Sequence, residues 1–292
     1  MQLFASTYSS FVLAVLATAS PALASPAQHV FDIHHAHNST TTTTTMTTTT
    51  TPLFSPDTCP IDTISCTRTD IDPCCSPQNG LLVLALQWDT RWGPSNAFTV
   101  HGLWPDTCEG KQLPNQGCDP QRSYTNISGI IQTSDPLLHA DMTTYWPSNK
   151  GDNDWFWTHE WVKHGTCVST LHPRCYGSEG YVPRQEVADY FRKILELREK
   201  YDLFKALAKN GVVPTEPEAG RRPKNTYSLK QFKQAIKNEW GVEPNVRCIG
   251  RRLQEVFLWF KVRGPDNYYL VEPYGRDSCG AISYQRKSTA AV

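Results

Sequence analysis

LLVLALQW, Leu81 to Trp88, is a short continuous apolar run with no polar residue before Gln87. A run of this length, too short for a typical helix, reads as a buried strand. FTVHGLW (Phe98–Trp104), EVFLWFKV (Glu255–Val262) and NYYLVEPY (Asn267–Tyr274) are rich in β-branched and aromatic residues and read as further strands. EVADYFRKILELREKYDLFKALAKNG (Glu186–Gly211) has helical spacing and ends in Asn-Gly, a stop signal. SLKQFKQAIKNEWG (Ser228–Gly241) is a second amphipathic helix, opened by a serine and closed by a glycine. Strands and helices mix without βαβ alternation, so the expected class is α+β. The fold expected is one disulfide-bonded domain with a central, mainly antiparallel sheet and flanking helices.

The rest of the chain bounds this domain. Residues 1–24 read as a secretory signal peptide: an apolar run, Phe11 to Ala19, precedes Ala22-Leu23-Ala24, although the segment lacks the usual Lys or Arg. Residues 25–54 contain the Thr run Thr40–Thr51, which cannot bury apolar area and is expected to be a disordered, O-glycosylated linker. Asn38 and Asn126 each begin an N-x-Ser/Thr sequon and are expected to carry glycans. All ten cysteines lie between Cys59 and Cys279, an even number that in a secreted chain implies five disulfides. Spacing alone leaves their pairing open. The catalytic domain is placed at 55–284, with a short tail at 285–292. The 28 basic and 28 acidic residues cancel, which excludes a wide basic surface tracking duplex nucleic acid. No glycine-rich phosphate loop, internal repeat or further membrane-length apolar segment is present.

The chemistry concentrates in FWTHEWVKHGTC, Phe156 to Cys167. A zinc-binding H-E-x-x-H helix sets its histidines four residues apart, whereas His159 and His164 are five apart. On a helix that is about 140° of rotation, and the Lys163 ammonium would oppose a divalent cation. The stretch instead gives one polar face of His159, Glu160, Lys163 and His164, backed by Trp157 and Trp161. Taken alone, it could equally be a solvated face with an ordinary Glu160–Lys163 pair. A partner is offered by FTVHGLWPDTC, Phe98 to Cys108, in which His101 ends a strand and Gly102-Leu103-Trp104-Pro105 begins a turn.

HGLWP together with FWxHEWxKHGTC resembles the two active-site segments of the ribonuclease T2 family, the secreted acid endoribonucleases. The resemblance covers roughly Cys59 to Cys279, and the cysteines look like those of the fungal branch. It implies that His164 is the general base, His101 the general acid and His159 a phosphate-binding residue. It implies that Glu160 and Lys163 stabilise the pentacovalent transition state. It also implies the pairs Cys59–Cys75, Cys66–Cys108, Cys74–Cys175, Cys118–Cys167 and Cys248–Cys279, and a second base pocket at YWPSNKG, Tyr145 to Gly151.

The residues suit that chemistry independently. Attack of a ribose 2′-OH on its own phosphorus needs a base, and the departing 5′-oxygen needs an acid; histidine serves both near or below neutrality. Trp104 and Phe156 either stack on bases or pack internally, while Trp155, Trp157 and Trp161 are expected in the core. Asp106 either accepts from a base's exocyclic amine or bonds to the turn backbone. The expectation is a secreted or vacuolar endoribonuclease acting on single-stranded RNA through a 2′,3′-cyclic phosphate. It would be a monomer needing no metal, cofactor, membrane or obligate protein partner.

Overall fold

The computed structural model describes residues 59–60, 62–177, 180–218 and 224–288. The expected signal peptide, the Thr-rich linker and Asn38 lie outside the described residues. Leu81–Gln87 forms β1, which lies between β2 (Thr99–Asp106) and β5 (Arg252–Arg263). The opposite side of β5 carries β4 (Asn245–Ile249) and β6 (Asn267–Val271), and every pairing is antiparallel. A small second sheet joins β3 (Tyr227–Ser228) to β7 (Ala281–Ile282).

The absence of alternation in β1 has a packing cause. Leu82, Leu84 and Leu86 enter the main core under the helices, while Leu81, Val83 and Ala85 pack against Phe257 and Trp259 on the other face. A strand covered on both faces has no polar side to show. The main core is closed by α1 (Ile127–Ser134), α2 (Pro136–Tyr145), α3 (Asn153–Lys163), α4 (Gln185–Lys200), α5 (Leu203–Lys209) and α6 (Leu229–Trp240). Trp146, Trp157 and Trp161 are fully buried. At about 25 cal/mol per Å², burying a large aromatic side chain stabilises the fold by roughly 4–6 kcal/mol.

α6 begins and ends where its sequence signals place it: Ser228 and Gln231 form a reciprocal capping box, and Gly241 closes the helix at φ 79°. Four other expectations need correction. The helical stretch from Glu186 is two helices: α4 stops at Tyr201, and the Asp202 carboxylate restarts the chain as α5 by accepting from the Lys205 N–H. No turn begins at Gly102; β2 runs on to Asp106, and Pro105 is tolerated because β2 is an edge strand. Trp155 is not in the core but 53% exposed. The packed chain also continues past 284: Ser288 N–H donates to Thr90 O, and the buried Lys287 Nζ donates to Trp92 O at 2.8 Å.

Five disulfides join Cys59–Cys75, Cys66–Cys108, Cys74–Cys175, Cys118–Cys167 and Cys248–Cys279, the pairs that the resemblance implies. Among the described residues no helix is long and apolar enough to cross a membrane.

Candidate active site

The register between β1 and β2 shifts at His101. Ala85 faces Gly102 and Leu86 faces Val100, so His101 is an unpaired extra residue in the edge strand. Such a bulge re-aims side chains and frees a backbone group. Val100 before it and Leu103 after it both point into the main core, while His101 and Trp104 share the opposite side with ring centroids 5.0 Å apart. The freed His101 carbonyl accepts from Trp146 Nε1 at 2.9 Å, and the Leu103 carbonyl accepts from Tyr190 Oη at 2.9 Å. The edge carbonyls flanking the site are thus satisfied by buried side chains.

α3 brings the second segment to this edge. Asp152 caps it by accepting from the Trp155 N–H, and Trp157 and Trp161 anchor it in the core. The helix ends at Lys163. His164 is its C-cap, at φ −118°, and Gly165–Cys167 forms a single tight turn. A Cβ at Gly165 would lie 2.4 Å from the Trp161 ring, so only glycine lets the chain turn this closely. The Cys118–Cys167 bridge then ties down the chain that leaves His164.

His101, Glu160, Lys163 and His164 therefore line one cleft with His159, Trp104 and Asp106. Glu160 is almost fully buried, with one oxygen 3.8 Å from His101 Nε2 and the other accepting from Trp104 Nε1 at 3.1 Å. Gly102 makes room for it: a Cβ there would lie 2.1 Å from Glu160 Oε2. Phe156 lies against His101 at 5.7 Å between centroids, and Trp104 stacks on His164 at 5.5 Å. The exposed Trp155 stacks on His159 at 5.8 Å and carries Lys150 Nζ 4.9 Å above its ring. In the YWPSNKG segment, Trp146 therefore supports the back of His101 and Lys150 reaches the neighbourhood of His159 through Trp155. Asp106 is buried at the cleft wall, and burial pushes its carboxyl up to about 6.

The two central histidines have opposite surroundings. Burial, Lys163, His159 and His101 together push His164 down to about 2, which favours its neutral form. Burial acts the same way on His101, but the hydrogen bond with Glu255 and the charges of Glu160 and Glu255 outweigh it, so its pKa is raised. His159 is lowered by burial and by the cations Lys163 and His101. Burial dominates at Glu160 and pushes its carboxyl up to about 7.

Donor atoms of His159, Glu160 and His164 lie within 4.8 Å of one another, so the argument from helical angle against a shared ion does not hold. His164 has left the helix, and the rotation that would separate the two histidines is lost. The neighbouring Lys163 ammonium still opposes a divalent cation.

Two residues at this site were not singled out in the sequence. Glu255 of β5, 2% exposed, accepts from His101 Nδ1 at 2.5 Å. Arg247, its cross-strand partner on β4, donates to the other Glu255 oxygen at 3.1 Å and lines the cleft. The available signal was a carboxylate opening an otherwise apolar central strand, EVFLWF.

Fold and site together define a disulfide-bonded α+β protein whose cleft brings two histidines with opposite surroundings to a buried carboxylate. A model of the ribonuclease T2 family matches residues 66–267. The chain is 41% identical over 232 residues to ribonuclease Rh of Rhizopus niveus, covering 79% of this chain and 93% of that protein. It is 38% identical over 231 residues to ribonuclease Trv of Hypocrea rufa, covering 76% and 94%. The crystal structure of Actibind, described as a T2 ribonuclease, superposes with a TM-score of 0.71 at 32% identity, covering 81% of this chain and 98% of that one. The chain belongs to the ribonuclease T2 family.

Proposed function

We propose that the chain, an RNA-cleaving enzyme by family, cuts single-stranded RNA by metal-independent transesterification. His164 takes the proton of the ribose 2′-OH as the 2′-oxygen bonds to phosphorus. The bond from phosphorus to the 5′-oxygen breaks, and His101 Nε2 supplies the leaving oxygen with a proton. The 2′,3′-cyclic phosphate then opens to a 3′-phosphate with the roles reversed: His101 takes a proton from water and His164 returns one to the 2′-oxygen. Lys163 offsets charge developing on the phosphorane oxygens, and Glu160, whose carboxyl burial pushes up to about 7, donates a hydrogen bond to them when protonated. His159 binds phosphate, and the anion itself favours the protonated ring.

A single observation carries this reading: two histidines line one cleft with opposite surroundings, His101 between two carboxylates that raise its pKa and His164 buried beside Lys163, which lowers its own. Environments that push two titrating groups apart mark the base and the acid. Trp104 and Phe156 offer the faces against which bases could stack, and Asp106 a buried acceptor at the cleft wall. The finer assignments belong to the same proposal: secretion, with five disulfides suited to an oxidising compartment, glycans on Asn38 and Asn126, and a monomer acting without an obligate partner.

The test uses leaving groups. H101F should lose about 10²–10⁴-fold in kcat on RNA, but much less on a substrate whose leaving group departs without a proton. Equal losses on both would remove His101 as the acid. Activity with cyclic-phosphate ends should persist in EDTA; abolition by EDTA and recovery with zinc would overturn the metal-independent mechanism.

A further inference from the structure

We propose that Glu255 is the positioning residue of the general acid: it accepts the His101 Nδ1 proton, fixes the ring in the bulge, and leaves Nε2 as the atom that delivers a proton in the cleft. The proposal rests on the reading of His101 as the acid and adds a group from a distant strand to that role. Three features of the geometry carry it.

His101 is the extra residue of a bulge, so its own strand pairing does not fix its backbone. Its carbonyl is held by Trp146 and its ring nitrogen Nδ1 by Glu255, at 2.9 and 2.5 Å. With Nδ1 engaged, Nε2 is the nitrogen left to face Glu160 and the cleft. A histidine whose second nitrogen is tied to a carboxylate has its tautomer and its orientation set together.

Glu255 has little freedom of its own. It is buried in the central strand β5, on the face where Phe257 and Trp104 meet, and Arg247 holds its second oxygen. A buried carboxylate is costly unless it is paired and hydrogen-bonded, and here both oxygens are engaged. The charged groups around His101 are then Glu255 on β5, Arg247 on β4, Glu160, His159 and Lys163 on α3, and His164 at its end. The two carboxylates favour the imidazolium, and Arg247 opposes it. Glu160 and Glu255 divide the ring between them. One faces the proton-delivering nitrogen at 3.8 Å, and the other holds the opposite nitrogen.

This arrangement makes a prediction of sign that a merely structural carboxylate would not. E255Q preserves shape but removes the charge, so the His101 pKa should fall. R247A removes an opposing cation, so the His101 pKa should rise. The experiment is an NMR titration of the His101 ring nitrogens in the full-length protein, its E255Q variant and its R247A variant, with kcat against pH measured on RNA. E255Q should move the alkaline limb of kcat to lower pH and reduce kcat about 10- to 100-fold. In the titration the two variants should shift His101 in opposite directions, with Nδ1 remaining the protonated nitrogen of neutral wild type. An unchanged His101 midpoint in folded E255Q overturns the proposal, as do shifts of the same sign in both variants. The leaving-group test on H101F is separate. If His101 proves not to be the acid while E255Q still shifts its titration, the positioning contact stands and only the catalytic role falls.

Discussion

His101 and His164 are the same side chain facing the same cleft, and they differ in almost everything that surrounds them. His101 comes from an irregular point in a strand and has a carboxylate near each ring nitrogen. His164 comes from the C-cap of a helix, lies against Trp104 and has Lys163, His159 and His101 for neighbours. The strand site collects negative charge, which raises the pKa of its histidine. The helix end buries its histidine beside positive charge, and both lower its pKa. Chemical role is thus written in the neighbours rather than in the residue type.

The largest way to break that contrast is to delete the base. H164A should lower kcat on RNA by about 10²–10⁴-fold. Unlike H101F, it should lose as much on a substrate with a self-departing leaving group, because attack still needs a base. Combining H164A with H101F should cost little more than the worse single change, since both serve one transition state. Purely additive losses would mean that the two act independently.

A smaller perturbation moves a neighbour instead of a histidine. G102A would place a methyl group 2.1 Å from Glu160 Oε2 and push that carboxylate away from His101. Displacing a catalytic group by about 1 Å can cost on the order of 100-fold in kcat. The strain should also lower stability by about 1–3 kcal/mol, read from a urea midpoint. A fully active, equally stable G102A would show that Glu160 has no need of its present position.

The pH profile sharpens the contrast without any substitution. His164 is pushed down to about 2, so its protonation should produce no acid limb above about pH 3. The alkaline side is set by groups that must keep a proton. His159 is lowered below its ordinary value, so kcat/KM should begin to fall on the acidic side of neutrality as this ring deprotonates. In kcat, measured with phosphate bound, the limb should lie higher. An acid limb near pH 5 that disappears in an H164 variant would leave His164 as the base and show that its neighbours do not push it down so far.

The smallest effects separate two disulfides. Opening either typically costs about 2–4 kcal/mol of stability. Replacing Cys118 and Cys167 by serine should also reduce kcat severalfold, because that bridge holds the turn behind His164. Replacing Cys248 and Cys279, which join β4 to the chain just before β7, should lower Tm with kcat nearly unchanged at a temperature where the protein is folded. Equal kcat losses from the two would contradict a local role for the first bridge.

These contrasts also mark what the sequence could convey. β1 and α6 were legible because their signals are local: an unbroken apolar run, and a serine and glycine at fixed distances from a periodic face. His159, Glu160 and Lys163 were legible as one face for the same reason. The bulge at His101 was not, because an extra residue is defined only against a partner strand. The same holds for Glu255, whose meaning depends on a histidine 154 positions away. The break between α4 and α5 hides within a continuous helical pattern, since Asp202 acts as a cap only once the backbone turns. Trp155 was placed in the core by its apolarity, yet its position on α3 points it at His159 and Lys150, where an aromatic face serves as a platform for cations.

The place of β5 in the chain has a consequence for synthesis. This strand pairs directly with β1 and brings Glu255 to His101, although most of the domain separates the two strands in sequence. Polypeptides emerge from the ribosome N-terminus first, so both histidine-bearing segments leave well before the strand that completes their sheet. A nascent chain that stops short of Arg263 carries every residue of the cleft's two motifs and lacks the central strand on which they are assembled. Translation intermediates released before that point should show no cleavage of RNA, and activity should appear only once the chain extends past β5.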